Sequence, residues 1–517
     1  MDEIRQWLGP AAKVLIATVL VAVLSFQAVA TESYDLVVRN GRVMDPESGL
    51  DAVRNVGVKD GSIVSITDTE IEGQTTIDAT GHVVAPGFID LQSHGQDPYA
   101  IKLLLRDGVT SALDVEFGAY PVEDYYTERE GKWQANFGVS VGHGWVRMNV
   151  MDGVEPKGLG LYSGAIKAAA LKGASFREPS NATQLKEILD SLEEGLRQGG
   201  VGIGLPVGYY TEVGGPEIEK VFGLAETYDT FVATHVRYLS QIPPSGFLGI
   251  QELLANAVAH DVPLLVHHVP SNCMGLTEEC LDLIDAAQRN GVKVVGEFYP
   301  YTVGLTTVSA DFLGPGLRER TGMDYSDITH IRTGKKMTKE LLAKYRQENP
   351  SAGVLTHHIQ NRDMLAAFKR PGIFVGSDGL PFFHDKGIAP WETPYGIPRS
   401  HPRGAGTHAK VLRLVREENI VPLMVALGKL SYLQAKFLED MVPDMKLRGR
   451  LKPGAIADIT IFDPEAVSDN ADYAQGKHSL PSTGIPYVVV NGTIVVKDSK
   501  VLKGVYPGMP IRNAVLN

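Results

Sequence analysis

Cysteine is nearly absent from this chain: two residues among 517, Cys273 and Cys280. A scaffold stapled by disulfides is therefore excluded, because such folds pack many cysteines into a short chain. An excess of base is missing as well, with 49 Lys and Arg against 61 Asp and Glu and a formal net charge of −12. Binding along a phosphate backbone rests on clustered Lys and Arg, so no nucleic-acid partner is expected. Charged residues are 21% of the chain and hydrophobic residues 44%. That balance leaves out collagen-like, disordered and multi-span membrane chains and allows a large core. Internal repeats and low-complexity stretches are lacking. Long apolar runs are lacking too, with one exception at the start.

Residues 14–26 carry no charge; Arg5 and Lys13 precede them, and Ala28-Val29-Ala30 closes the stretch before Thr31. Basic start, apolar middle and small-x-small end are the order of a secretory signal. The run is shorter than the ~20 residues a spanning helix needs. We expect residues 1–30 to be removed on export to the periplasm, leaving no membrane span. Counting the flanking alanines and Trp7 lengthens the run, so an uncleaved N-terminal anchor is the alternative.

Both ends of the remaining chain have strand grammar. Short alternating runs surround Asn40-Gly41 and Asp60-Gly61 near the start and Asn491-Gly492 near the end, and such pairs supply the positive φ that hairpin turns require. Residues 31–82 and 446–517 are expected to form one small β-sandwich from both termini. Residues 83–445 alternate strand and helix as a parallel sheet demands. Leu185, Ile188, Leu189, Leu192 and Leu196 mark one face of a helix. Strands are expected over 83–89, 110–115, 137–141, 201–205, 231–234, 263–266, 292–297 and 372–376. Eight such strands fit an α/β fold of the (β/α)₈ TIM-like barrel type, whose chemistry sits at the C-terminal strand ends. Residues 353–356 are a ninth candidate.

Those strand ends are rich in ligands. The first runs into Gln92-Ser93-His94, the second into Asp114-Val115-Glu116, the fifth into His235, the sixth into His267-His268 and the last into Ser377-Asp378. Neutral imidazoles and an anionic oxygen converging from separate strands suit Zn²⁺ with a position left for water. A lone His after an apolar strand is more often a hydrogen-bonded core residue, so it is the set that points to metal. Asp114 and Glu116 point to the same side of their strand, and either could be the ligand. His268 alternates away from His267 and reads as packing. His143, His357 and His358 also lie near strand exits.

Several segments together give the chain a likeness. They are Ala85-Pro86-Gly87-Phe88-Ile89-Asp90, Gly108-Val109-Thr110-Ser111, Thr234-His235-Val236-Arg237, Phe298-Tyr299-Pro300-Tyr301-Thr302, Gly376-Ser377-Asp378-Gly379-Leu380, His401-Pro402-Arg403 and Arg448-Gly449-Arg450-Leu451-Lys452-Pro453-Gly454. In these the chain resembles the metal-dependent amidohydrolase superfamily, and within it the N-acyl-D-amino-acid deacylases, or D-aminoacylases. The resemblance implies a barrel beside a β-sandwich, with zinc on His235 and His267 and Asp378 as general base. It implies that Arg403 binds a substrate carboxylate, with Tyr299 and Thr306 as supporting hydroxyls.

The departures carry information as well. Gln92 stands where the superfamily has the first His of His-x-His, and a neutral amide oxygen is a weak partner for zinc. Glu116 stands where the D-aminoacylases place a bridging Cys, and a carboxylate can coordinate in its place. Val269 replaces a Lys two residues after the strand-six His. The expectation is one tight Zn²⁺ on Glu116, His235 and His267, and a weaker second site near His94 and Gln92. The expected reaction is hydrolysis of an N-acyl amino acid, of D-configuration by resemblance. A cyclic amide or dipeptide substrate is the alternative within the superfamily, and a decayed binding protein is the alternative outside enzymology. Residues 381–400, with Phe382, Phe383, Trp391 and Tyr395, read equally as a lid, an acyl-pocket wall or a plain insertion. Cys273 and Cys280 could pair in an oxidising compartment.

Overall fold

Strand-forming residues at both termini meet in one sheet. The computed structural model describes residues 34–155, 160, 173–385 and 387–516, and the expected signal over 1–30 lies outside them. Nine strands hydrogen-bond in a single sheet: five from the N-terminal stretch, Tyr34–Asp45, Leu50–Lys59, Ser62–Thr67, Gly73–Asp78 and Val83–Pro86, and four from the C-terminal one, Ile459–Phe462, Tyr487–Val490, Thr493–Lys497 and Lys500–Val501. The join between the two sets is the antiparallel pairing of Val83–Pro86 with Ile459–Phe462. Leu36, Val56, Ile77, Ile459 and Val489 share one apolar cluster.

Two local expectations are corrected. Asn40-Gly41 is a bulge within the strand Tyr34–Asp45, where the register to Leu50–Lys59 shifts between Val38 and Gly41, and the hairpin turn comes after Asp45. The positive φ of Asn40, 61°, serves the bulge just as it would a turn. The strand expected over 83–89 is two strands. Val83–Pro86 joins the terminal sheet, and Phe88–Asp90 opens the barrel. Gly87 between them has no room for a side chain, since a Cβ would lie 2.2 Å from Thr110 Oγ1.

The barrel is an eight-stranded parallel sheet in sequence order: Phe88–Asp90, Val109–Ala119, Asn136–Gly142, Ile203–Gly204, Val232–Thr234, Leu264–Val266, Val294–Phe298 and Phe374–Val375. Its ends are drawn together by Asp90 Oδ1, which accepts from Ser377 N at 3.0 Å, and by Gly95 N donating to Gly379 O at 2.8 Å. Ile89, Leu113, Phe231, Leu265 and Phe374 fill the interior together with Leu438 and Ile511. The chain's last stretch therefore serves the barrel: Ile511 N donates to Phe137 O at 2.7 Å. Ala182–Arg197 is the helix expected from its periodicity, started by a capping box of Asn181 and Gln184.

The ninth strand candidate belongs elsewhere. Gly353–Thr356 is the centre of a three-stranded antiparallel sheet with Gly304–Thr307 and Ile328–His330. This insertion between barrel strands seven and eight has its own apolar cluster of Val308, Leu313, Ile328, Leu342 and Val354. Residues 381–400 pack on the helix Pro98–Arg106: Phe382 clusters with Tyr99 and Leu103, and Lys102 Nζ donates to the carbonyls of Trp391 and Thr393. Their aromatics stay out of the central cavity, which favours the plain structural insertion.

Asp458 ties sheet to barrel. It accepts from Arg448 and from Asn136 Nδ2 through Oδ2, and from Asn491 N through Oδ1. Asp458→Ala leaves Arg448, itself 2% exposed, without its counter-charge, and should cost about 3–5 kcal/mol. A lowered unfolding midpoint in thermal denaturation checks this, and a midpoint equal to wild type refutes it.

Candidate metal centre and substrate cleft

The second barrel strand, Val109–Ala119, carries the central ligand because it does not run straight. Its register to the third strand jumps between Asp114 and Ala119, so residues 115–118 bulge. Asp114 Oδ1 holds the bulge by accepting from Phe117 N and Gly118 N, both at 3.1 Å. Gly118 turns it with φ of 63°. Bulges beside functional sites re-aim side chains, and here Glu116 is aimed into the barrel mouth. Of the two carboxylates, Glu116 belongs to both candidate ligand groups, and Asp114 Oδ2 stands 3.1 Å from His94 Nδ1.

Two groups of potential ligands share Glu116. One is Glu116, His235 and His268; the other is His94, Glu116 and Asp378; within each the ligand atoms lie within 4.8 Å of one another. Glu116 Oε1 is 3.3 Å from His235 Nδ1, and Oε2 is 3.4 Å from His94 Nε2 and 3.6 Å from His268 Nε2. His94 Nε2 is also 3.3 Å from Asp378 Oδ1. Burial opposes charge on Glu116, yet His268, His235 and His94 hold its carboxyl well below the usual range. Burial likewise opposes charge on His94, and Asp114 above all, with Asp378 and Glu116, raises it well above an ordinary imidazole.

His268 enters the cluster beside the expected His267. The strand ends at Val266, and His268 takes φ of 33° at the start of the short helix Val269–Cys273, which breaks the alternation assumed for a continuing strand. His267 Nδ1 meets Glu297 Oε2 at 2.5 Å, from the end of strand seven, which leaves its buried and unpaired Nε2 as the nitrogen a metal could take. Burial pushes His267 down to about 4 and Glu297 well above the carboxylate range, so this pair is neutral. Gln92 also reaches the cluster: its amide nitrogen donates to Glu116, and its Oε1 is buried without a partner.

The donor chemistry fits a divalent cation. His94 Nε2, Glu116 Oε1, His235 Nδ1, His267 Nε2 and His268 Nδ1 are all buried without hydrogen-bond partners. Each unpaired buried polar group costs ~1–3 kcal/mol, so such a concentration calls for an ion to share. Imidazoles and a carboxylate, with no thiolate, match zinc among other first-row metals.

Beside the cluster opens a cleft lined by His235, His268, Tyr299, Thr306, Asp378 and Arg403. It thus collects both expected supporting hydroxyls, the expected base and the expected arginine. Arg403 opens the helix Arg403–Glu418 and is 1% exposed, which disposes of a surface ion pair. Its Nε donates to Asp378 O at 2.6 Å and its Nη2 meets Asp378 Oδ2 at 2.8 Å, while Nη1 is buried with no partner. The guanidinium lies 4.7 Å over the Tyr299 ring. Of the other histidines, His358 reaches the cleft, His357 is exposed, and His143 is bound to Glu217 and Tyr210 outside it.

Sequence reasoning missed Tyr209 and Ser271. Tyr209 follows the fourth strand and sets its ring 4.6 Å from that of His235. Its place after a strand exit was the available signal. Ser271 sits on the turn of helix that begins after His268, which the strand pattern could not show. Cys273 and Cys280 form a disulfide close by.

Because Glu116 belongs to both groups, Glu116→Ala should abolish tight metal binding altogether. Mass spectrometry of the intact protein should then find less than about a tenth of the wild-type metal, while circular dichroism stays native. Retention of a full equivalent would remove Glu116 from the ligand set.

No protein-family model matches the chain. It is 28% identical over 502 residues to an N-acyl-D-glutamate deacylase of Alcaligenes xylosoxydans xylosoxydans, covering 90% of this chain and 94% of that one. It is 25% identical over 511 residues to a D-aminoacylase of the same organism, covering 88% and 95%. A solved N-acyl-D-glutamate deacylase from Bordetella bronchiseptica, complexed with zinc and a phosphonate inhibitor, superposes with a TM-score of 0.74 at 23% identity, over 93% of this chain and all of that one. By sequence the chain is a homologue of the N-acyl-D-amino-acid deacylases of the amidohydrolase superfamily, and it shares their barrel fold.

Proposed function

We propose that the protein is a zinc-dependent hydrolase that cleaves the amide bond of N-acyl-D-amino acids, releasing a carboxylate and a free amino acid. The observation that carries this is Arg403: a buried guanidinium with a free Nη1, standing against Asp378 at the edge of the Glu116 cluster. A fixed cation next to a hydrolytic centre suits a substrate with a carboxylate a few bonds from its scissile amide. The D-configuration is supported by the names of the relatives.

Glu116, His235 and His268 would hold the tighter metal, and His94 with Asp378 would complete a second position on the other side of Glu116. A zinc ion there supplies Lewis acidity, acidifying water and polarising a carbonyl oxygen. The protein's own residues do the rest. Asp378, the most exposed carboxylate of the cluster, faces the cleft at the last strand end. It takes the proton released as water adds to the amide carbon, and returns it to the amide nitrogen as the C–N bond breaks. Arg403 holds the Asp378 carboxylate in place and offers Nη1 to the substrate carboxylate. Tyr299, stacked beneath the guanidinium, limits where that carboxylate can settle.

Export belongs to the same proposal. The basic, apolar and small-residue order of residues 1–30 supports it, as does a disulfide, which persists in an oxidising compartment. Among the described residues no helix is long and apolar enough to cross a membrane. Mass measurement of the protein recovered from its native cell should give an N-terminus at Thr31, and an intact Met1 in the membrane fraction would establish the anchor instead.

The catalytic reading is tested with metal-loaded protein on paired N-acetyl-D- and N-acetyl-L-amino acids. Turnover of the D-series alone is expected, and turnover of the L-series alone overturns the stereochemistry. Asp378→Asn should keep the tighter metal and lose about 10²–10⁴-fold in kcat. A variant within a few-fold of wild type would take the base role from Asp378.

A further inference from the structure

One polar pair in the cleft is left unused by that chemistry. Ser271 Oγ lies 2.9 Å from His358 Nε2, and His358 Nδ1 lies 3.1 Å from the Thr356 carbonyl oxygen. Both side chains are buried and both line the cleft. A carbonyl only accepts, so Nδ1 of His358 carries the proton. Burial keeps the ring neutral, pushing it down to about 4, and Nε2 is therefore bare. Ser271 must donate its single proton to Nε2, and only the lone pairs of its oxygen are left for the cleft.

Hydroxyls of the opposite capability stand on the inserted sheet. Thr306 Oγ1 and Thr356 Oγ1 are buried without partners, and both residues line the cleft. Gly304 brings the two kinds together: a Cβ there would lie 2.7 Å from His358 Cε1 and 3.1 Å from Thr356 Oγ1. Leu239, Leu305 and Phe312 supply apolar surface on the same walls. Val269, where the resemblance would place a lysine, is fully buried in the core. The pair also lies at the carboxylate end of the cleft. Ser271 and His358 line the same cleft as Tyr299, over whose ring the Arg403 guanidinium lies at 4.7 Å.

We propose that Ser271, oriented by His358, and the hydroxyls of Thr306 and Thr356 form a specificity pocket for an uncharged carboxamide side chain on the amino-acid half of the substrate. A primary amide has two N–H donors and one carbonyl acceptor. Its NH₂ meets the Ser271 lone pairs, and its oxygen receives a threonine proton. The isosteric carboxylate has no donor for Ser271 and sets a negative charge against an oxygen whose proton is already committed. This proposal rests on the N-acyl amino acid reading above.

The test compares N-acetyl-D-glutamine with N-acetyl-D-glutamate, which differ only in that group. Sites built to hydrogen-bond a substrate group discriminate strongly against analogues that cannot complete the bond, and kcat/KM should favour glutamine by about 10²-fold. Ser271→Ala should collapse the ratio to below about tenfold, mainly through the glutamine KM, and Ser271→Thr should restore most of it. Calorimetry supplies a readout that needs no turnover: free D-glutamine should bind the metal-loaded wild type more tightly than free D-glutamate. A wild-type preference for glutamate, or an unchanged ratio in folded Ser271→Ala, overturns the proposal while leaving the hydrolase intact. Absence of hydrolysis of every N-acyl amino acid by the metal-loaded protein defeats the hydrolase reading, and the pocket proposal with it.

Discussion

A carboxylate cut off from water has to be surrounded by positive charge, and Glu116 is where this protein meets that requirement. Glu116 is 1% exposed, yet three histidines from three different strand ends converge on it. Desolvating an ion costs several kcal/mol even after the protein relaxes, so an unattended Glu116 would work against the fold. The bulge at residues 115–118, the cap from Asp114 and the donor amide of Gln92 all serve its placement. What remains unpaired around it is a set of nitrogens and one oxygen, some of which cations at the two positions beside Glu116 would engage. Binding a metal and stabilising the barrel mouth are, in this sense, one physical problem.

The barrel alone does not make the cleft. Strand ends provide the cluster, but one wall is the three-stranded insertion carrying Thr306, Thr356 and His358. The insertion has its own apolar cluster, so its geometry is set by its own packing and it presents its side chains from a fixed support. Strand-end residues 94, 116, 235, 268 and 378 make the candidate metal cluster, and the insertion makes a wall of the cleft beside it.

The sequence was legible where a residue's direction follows from local periodicity. His235 follows directly on the strand Val232–Thr234 and joins the cluster expected of it, while Glu116 and Asp378, singled out by residue type at strand exits, are aimed by a bulge and by a φ of 50° that alternation does not show. Legibility failed where φ changes sign. Asn40-Gly41 has the composition of a hairpin turn, yet a bulge needs the same conformations, and only the partner strand decides between them. His268 has φ of 33°, and counting every second residue past Val266 turned it away from a cluster that it joins. It also failed across long separations: Ser271 and His358 are 87 residues apart, and nothing local announces that they meet. The acidic charge balance and the paucity of cysteine bear on class and are silent about these contacts.

Arg403 and Asp378 show why the site cannot be reduced to independent roles. The guanidinium spends Nε and Nη2 on Asp378, on its carbonyl and its carboxylate, and keeps Nη1 for a substrate. A substrate carboxylate that takes Nη1 alone is held at one nitrogen and leaves Asp378 clamped. One that takes the end-on fork of Nη1 and Nη2 gains a second hydrogen bond without releasing Asp378, because Nη2 carries two N–H groups and can give one to each carboxylate. The guanidinium can thus clamp its own aspartate along one edge and present the other edge to the cleft. Fixing the aspartate and receiving a carboxylate are then two uses of one buried cation, which is a physical reason for holding Arg403 against Asp378.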